Sequence, residues 1–295
     1  MIQECARAKI NLFLEITGKR PDGYHDLVTV MQTVSLADTL TFERSPVPGV
    51  RLTVSGNVPA GGDNLVCRAA NAFFATTGAP FGVDVTLQKN IPVSAGLGGG
   101  SADAAATLRA LNRLSEKKLS RERLLQLALF VGADVPFLIE GGLAVCRGVG
   151  ERITPVSYTI PGVIVVAIGN EGVSTPAAFA ALDRMYDNFI GFNPHPALRE
   201  WEQLPGSATL PRGAAFNRFE EAILPGCPEA TSIRQTLRNL GATVAQMSGS
   251  GPSVFGIFDT ENAAKAAVAE LENNGARAFV CRAEPRTETE EGAVI

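Results

Sequence analysis

Histidine is scarce in this chain, with only two in 295 residues, and the five cysteines are scattered. Cys5, Cys67, Cys146, Cys227 and Cys281 form no C-x-x-C pair, and their number is odd. A zinc site or a disulfide framework is therefore not expected, and reduced thiols are the simple reading. Long apolar runs are also missing. None approaches the roughly 20 residues needed to span a bilayer, so no membrane association is expected. There is no basic excess either: the formal net charge is -4 at pH 7. That argues against general nucleic-acid binding, although a local patch for a polyanion needs only a few Lys and Arg. No leader is expected ahead of the first motif, which begins near Arg7, and the expected compartment is the cytoplasm.

What remains is an ordinary globular composition, 45% hydrophobic and 19% charged. Its length predicts one large domain or two of middle size. The most informative stretch is Pro92 to Ala106, P-V-S-A-G-L-G-G-G-S-A-D-A-A-A. Glycines at 96, 98, 99 and 100 let backbone N–H groups turn toward one point and let a ligand approach closely. The alanine-rich helix beyond them adds unpaired N–H groups and a partial positive charge. Together these features bind phosphate. A further absence narrows the type: no lysine follows the glycines, which excludes the G-x-x-x-x-G-K-[ST] loop. The dinucleotide fingerprint fits Gly96 and Gly98, but its third position is Ser101 and no β-α-β unit opens the chain. Glu116, the available ribose-binding acid, follows a helix instead of ending a strand.

Alternation at Ile10, Leu12, Leu14 and Ile16 predicts a half-buried strand, and G-K-R-P-D-G-Y-H a turn after it. Further strands are expected over 27–36, 38–43, 50–55 and 82–88, with a helix over 64–76. The helix after the glycine loop is expected over 102–114. A second runs from an N-cap at Ser120 to Gly132. After G-A-D-V-P-F comes a strand, G-L-A-V-C-R-G. A domain boundary is expected near 151–157, dividing the chain into 1–155 and 156–295. The second part reads strand 162–168, helix 176–187, a proline-rich stretch over 188–212, helix 229–240 and strands 242–247 and 253–258. A helix capped by Asp259 or Thr260 and a strand over 276–282 follow. This β-α-β-β-α-β-like order predicts an antiparallel sheet with helices on one face. The acidic tail after Glu284 is expected to fray.

Four ordered segments resemble a known family. P-V-S-A-G-L-G-G-G is similar to the phosphate loop of the small-molecule kinases named for galactose, homoserine, mevalonate and phosphomevalonate, the GHMP kinases. A-K-I-N-L-F-L-E-I-T-G-K-R-P-D-G-Y-H-D-L, G-A-D-V-P-F-L-I-E-G-G and M-S-G-S-G-P-S-V-F-G-I-F extend the resemblance over almost the whole chain. The segment G-K-R-P-D-G-Y-H resembles the branch acting on 4-diphosphocytidyl-2-C-methyl-D-erythritol. The resemblance implies an α+β, two-domain fold: an N-terminal ribosomal-protein-S5-domain-2-like domain and a C-terminal ferredoxin-like domain. It implies a cytoplasmic monomer or homodimer that uses ATP and Mg2+ to phosphorylate a 2-hydroxyl. Mevalonate- or homoserine-type kinases, or a non-catalytic nucleotide-binding relative, stay open beside it.

The resemblance also implies roles. Asp134 would be the catalytic base, at a point where Val135–Pro136 must leave helical geometry. Lys9 would keep Asp134 ionised and stabilise phosphoryl oxygens; read alone, it is a surface strand lysine. It shares a strand face with Arg7 and Asn11. Pro92, Val93, Ser94, Ala95, Gly96, Leu97, Gly98, Gly99, Gly100, Ser101 and Ala102 would surround the ATP phosphates, with Ser101 also reaching Mg2+. Ala102 stands where the family often has a second serine. Asn64 and Lys89 would line the adenosine side. Tyr24 and His25 would recognise the cytosine, Tyr24 by stacking, with Phe179 on the other side of the ring and Thr175 nearby. Asn11 would hold the erythritol or diphosphate part. The turn Ser248–Gly251 would close over the substrate from the second domain.

Overall fold

Strand β1 (Ile2–Lys19) pairs antiparallel with β2 (His25–Ser45) along most of its length. The computed structural model describes residues 1–56, 61–204 and 215–287. β2 is one strand where two were expected. It is long enough to pair β1 on one side and, on the other, two strands in succession. These are β4 (Gly82–Gln88), which also pairs parallel to β3 (Gly49–Ser55), and β5 (Leu143–Gly148), which pairs β6 (Arg152–Pro155).

β1 is not the half-buried strand that its alternation predicts, because every residue from 8 to 16 is buried. A register shift between Asn11 and Phe13 exchanges the faces of the strand. Ile10 and Leu12 therefore enter the core of the first sheet, whereas Leu14 and Ile16 pack with Val165, Leu182 and Phe219 of the second. Trp201 stacks on Phe13 with ring centroids 5.6 Å apart, and Gln246 donates to the Asn11 carbonyl oxygen at 3.2 Å. The face that would otherwise meet water is thus covered by the second half of the chain.

Helices α1 (Leu65–Thr77), α2 (Gly99–Leu114) and α3 (Arg121–Val131) bury their apolar residues against the first sheet. Ser120 caps α3 by accepting from the Arg123 N–H, as expected. α2 starts three residues earlier than its alanine run predicts, at Gly99, so Gly100 and Ser101 lie in its first turn. The chain does not leave helical geometry at Val135–Pro136. A short helix, α4 (Val135–Glu140), starts there with Asp134 as its N-cap residue. Proline fits the first turn of a helix, where its missing N–H would have no partner anyway.

The second sheet has the order β11-β7-β10-β9, antiparallel throughout: β7 (Val163–Ile168), β9 (Val244–Met247), β10 (Val254–Phe258) and β11 (Arg277–Cys281). With α8 (Pro228–Asn239) and α9 (Glu261–Asn273) on one face, this is the ferredoxin-like arrangement implied by the β-α-β-β-α-β order. Val165 and Val254 face those helices, while Ile164, Val166, Phe255 and Ile257 turn to the core of the first sheet. The stretch between β7 and α8 holds α5 (Thr175–Met185), α6 (Leu198–Glu202), β8 (Phe216–Asn217) and α7 (Phe219–Ile223). β8 adds to the edge of the first sheet beside Phe13 and Leu14. The expected fraying after Glu284 does not hold for the next residues. Arg286 bonds the Glu140 carboxylate at 2.9 Å and the Thr287 N–H bonds its carbonyl at 2.8 Å. Residues 288–295 of that tail lie outside the described residues.

Candidate active site

Lys9 comes off β1 into the interior, not onto a surface. Its ammonium donates to Asn11 Oδ1 at 2.8 Å and to the Gly96 carbonyl at 2.9 Å. Asp134 Oδ2 stands 4.0 Å away. Burial pulls the Lys9 pKa below its ordinary value, and the Asp134 carboxylate pulls it back up. Asn11 is oriented in turn, donating to Thr29 Oγ1 at 2.8 Å, while Thr29 donates to the Phe13 carbonyl at 2.8 Å. Thr29 is a positioning group that nothing in its sequence surroundings marks. Arg7, expected on the same face, turns instead to Glu284 at 2.9 Å, because a register shift separates it from Lys9.

The glycine loop is shaped by its protein neighbours. The second glycine turn, Ser248–Gly251, lies directly against it. Ser248 Oγ donates to the Gly96 carbonyl at 3.1 Å, and the Ser253 N–H donates to the Ala95 carbonyl at 3.2 Å. Gly96 sits at φ +75°, and a Cβ there would stand 2.2 Å from the Ser248 carbonyl oxygen. Gly96→Ala is therefore expected to cost about 1–2 kcal/mol for the left-handed backbone, plus the relief of that collision. Gly100, in the first turn of α2, has room for a methyl group, with its nearest neighbour at 3.4 Å. Thermal melts should fall clearly for Gly96→Ala and little for Gly100→Ala. Equal melts would mean that the two turns are not locked together.

Both turns line one cleft of about 490 Å³, a size usual for small-molecule sites. Lys9, Asn11, Asp134 and Ser101 share its walls with Pro92 through Gly100. Ala102, the last residue of the expected phosphate loop, is buried beneath it. The Asp134 side chain is 37% exposed, so its carboxylate is open to a ligand. Ser101 adds a hydroxyl. These are hard oxygen donors of the kind Mg2+ takes. No group of three His, Cys, Asp or Glu side chains among the described residues could hold a metal by itself. Such donors suit a cation that brings phosphate oxygens with it.

On the cleft's far side, Asn64 lines the wall while its Oδ1 accepts the Val66 N–H at 2.9 Å, capping α1. Lys89 lines the cleft beside the glycine loop and is at the same time held between two carboxylates. It donates to Asp103 Oδ2 at 2.8 Å and also bonds Asp38. Burial, and then the Asp38 charge working against Lys89, push the Asp103 carboxyl up to about 7.

At the other end Thr175, in the first turn of α5, shares a 2.8 Å hydrogen bond with Ser250 of the glycine turn. Phe179, one helical turn on, stacks on His25 with ring centroids 4.6 Å apart. His25 Nε2 lies 2.7 Å from Asp183 Oδ1, and Lys19 bonds the other oxygen of Asp183 at 2.7 Å. Tyr24 is 63% exposed, and its ring does not line the cleft. One face of Phe179 is thus turned to the His25 imidazole, while the side chain still lines the cleft. No sequence signal points to Asp183, since it lies 158 residues from His25 on an ordinary helix surface.

Comparison with known proteins matches this arrangement to one family. Residues 64–142 match the GHMP kinases N terminal domain and residues 197–277 the GHMP kinases C terminal model. The chain is 39% identical over 274 residues to a 4-diphosphocytidyl-2-C-methyl-D-erythritol kinase of Geobacter sp. (strain M21), covering 92% of this chain and 94% of that one. The chain belongs to this kinase family. A relative of the same name from Pelotomaculum thermopropionicum is 41% identical over 274 residues, covering 90% and 93% of the two chains. The crystal structure of a 4-(cytidine 5'-diphospho)-2C-methyl-D-erythritol kinase superposes with a TM-score of 0.76 at 36% identity, covering 95% of this chain and 98% of that one. The mevalonate kinase of Methanococcus jannaschii shares the fold at a TM-score of 0.73 and 14% identity, with coverage of 96% and 98%. No helix among the described residues is long and apolar enough to cross a membrane.

Proposed function

We propose that this kinase transfers the γ-phosphoryl group of ATP to the 2-hydroxyl of 4-diphosphocytidyl-2-C-methyl-D-erythritol. The products are the 2-phosphate and ADP, in the methylerythritol phosphate route to isoprenoid precursors. The observation that carries the reading is the facing pair of Lys9 and Asp134, 4.0 Å apart in a cleft walled by a glycine loop and a helix N-terminus. Phosphoryl transfer asks chiefly for positioning and for neutralised charge. In this reading the N–H groups at Gly99, Gly100 and Ser101 receive the donor phosphates. Asp134 accepts the proton of the attacking hydroxyl, and Lys9 stabilises the charge on the transferring group. Ser101 and Asp134 have the donor chemistry to hold a Mg2+, which when bound offsets phosphate charge. Thr175 and Phe179 line the end of the cleft that would take the cytidyl group, with His25 packed behind Phe179, and Asn11 lies toward the erythritol and diphosphate. Tyr24 would have to reach the ring from outside the cleft wall. The division between the domains falls between residues 155 and 156, after β6.

The test is a coupled ADP-release assay with the cytidyl alcohol, mevalonate and homoserine as acceptors. ADP release with the cytidyl alcohol alone is expected. Release with mevalonate or homoserine instead would move the protein to another branch. Tight ATP binding with no turnover on any alcohol would make it a non-catalytic relative.

A further inference from the structure

Behind the glycine loop lies a buried charge cluster drawn from three elements. Asp38 comes from β2, Lys89 from the lead into the loop, and Asp103 from the second turn of α2. Their side chains are 0%, 9% and 4% exposed. Besides binding Lys89, Asp38 accepts the backbone N–H groups of Asn90 at 2.5 Å and Ile91 at 2.8 Å through its other oxygen. The lead 89–91 is thereby tied to β2, and Lys89 carries the tie on to α2. Among the described residues, Asp103 Oδ1 has no hydrogen-bond partner. One cation between two buried carboxylates is an expensive way to join elements that apolar packing could join at less cost. The cluster also sits close under the phosphate-binding turn: a Cβ on Gly99 would stand 3.5 Å from Lys89 Nζ.

We propose that Asp103 is a positioning residue for the donor nucleotide. Acting through Lys89, it sets the loop lead against the first turn of α2, and so aligns the N–H groups of Gly99 to Ser101. The proposal rests on the reading of this cleft as an ATP site and deepens it. Asp38 does not line the cleft; Lys89 and Asp103 border it, and the role proposed for Asp103 is exerted through Lys89.

The test compares wild type, Asp103→Asn, Lys89→Met and Lys89→Met/Asp103→Asn by titrating ATP and the acceptor separately. Misplaced phosphate donors should raise the KM for ATP about five- to tenfold in Asp103→Asn, with kcat and the acceptor KM within about twofold of wild type. Lys89→Met should be worse, since it leaves two buried carboxylates facing each other. The double variant should then recover toward Asp103→Asn, because residues acting as one unit are not additive. An unchanged KM for ATP in Asp103→Asn, additive losses in the double variant, or equal losses in kcat and both KM values would each overturn the proposal. If Asp103→Asn does not fold, Asp38→Asn makes the same comparison. If wild type forms no ADP with any acceptor, the functional reading itself has failed, and ATP binding by calorimetry still reads the clamp.

Discussion

Asp134→Ala is expected to lower kcat for ADP formation by about 10²- to 10⁴-fold, the range that a positioned general base supplies. The fold should survive. Asp134 is an N-cap residue whose side chain makes no capping hydrogen bond, so the helix start does not depend on its carboxylate. Its side chain is partly exposed, and Lys9, its ion-pair neighbour among the described residues, keeps two other partners. The measurement is single-turnover kinetics at saturating ATP, beside a thermal melt. Near-normal turnover with an unchanged melt would remove Asp134 from the chemistry. A second readout follows from Lys9. The Asp134 carboxylate raises the Lys9 pKa against the effect of burial, so without it the ammonium loses its proton at lower pH. The alkaline limb of any residual activity should therefore move to lower pH in Asp134→Ala.

Lys9→Met should also lower kcat, by about 10²- to 10³-fold, as when one preorganised donor to a developing charge is removed. It carries a structural cost that Asp134→Ala lacks. The Gly96 carbonyl and Asn11 Oδ1 each lose a donor inside the protein, at about 1–3 kcal/mol for a buried group left unpaired. Ser248 reaches both oxygens, at 3.1 Å and 3.4 Å, and offsets part of that loss. The melt should fall by a few degrees while kcat falls by orders of magnitude. If Lys9 and Asp134 work as one unit, the double variant should be scarcely slower than the worse single one. Fully multiplying losses would mean that the two residues act in separate steps.

Much of this is legible in the order of the residues. The glycine loop stands out because only glycine reaches positions such as φ +75° at Gly96 without cost. The ferredoxin-like half is legible because its strands and helices alternate in short, well-punctuated segments, with Thr260 capping α9 and Gly275 following it. The departures from expectation share a cause: they arise where distant or competing effects override a local pattern. The burial of β1 depends on Trp201 and Gln246, which arrive from far along the chain. The helix start at Val135–Pro136 is concealed by a rule about the residue before proline that gives way in the first turn of a helix. The carboxylate partners of Lys89 and His25 come from other elements, and no local pattern connects Asp38 to Lys89 or Asp183 to His25.

The order of residues dictates what kinds of groups are present and where the backbone must turn: two glycine turns, a strand carrying Lys9 and Asn11, and an acid before a helix start. Local sterics and hydrogen bonding dictate these features, and they act within a few residues. The tertiary structure alone decided what meets what. It set Lys9 between Asn11, Gly96 and Asp134, locked the two glycine turns together, and turned Phe179 onto His25. Those outcomes depend on burial and on charges brought within a few ångströms, which follow from packing two sheets against one another and not from any stretch of the chain read alone.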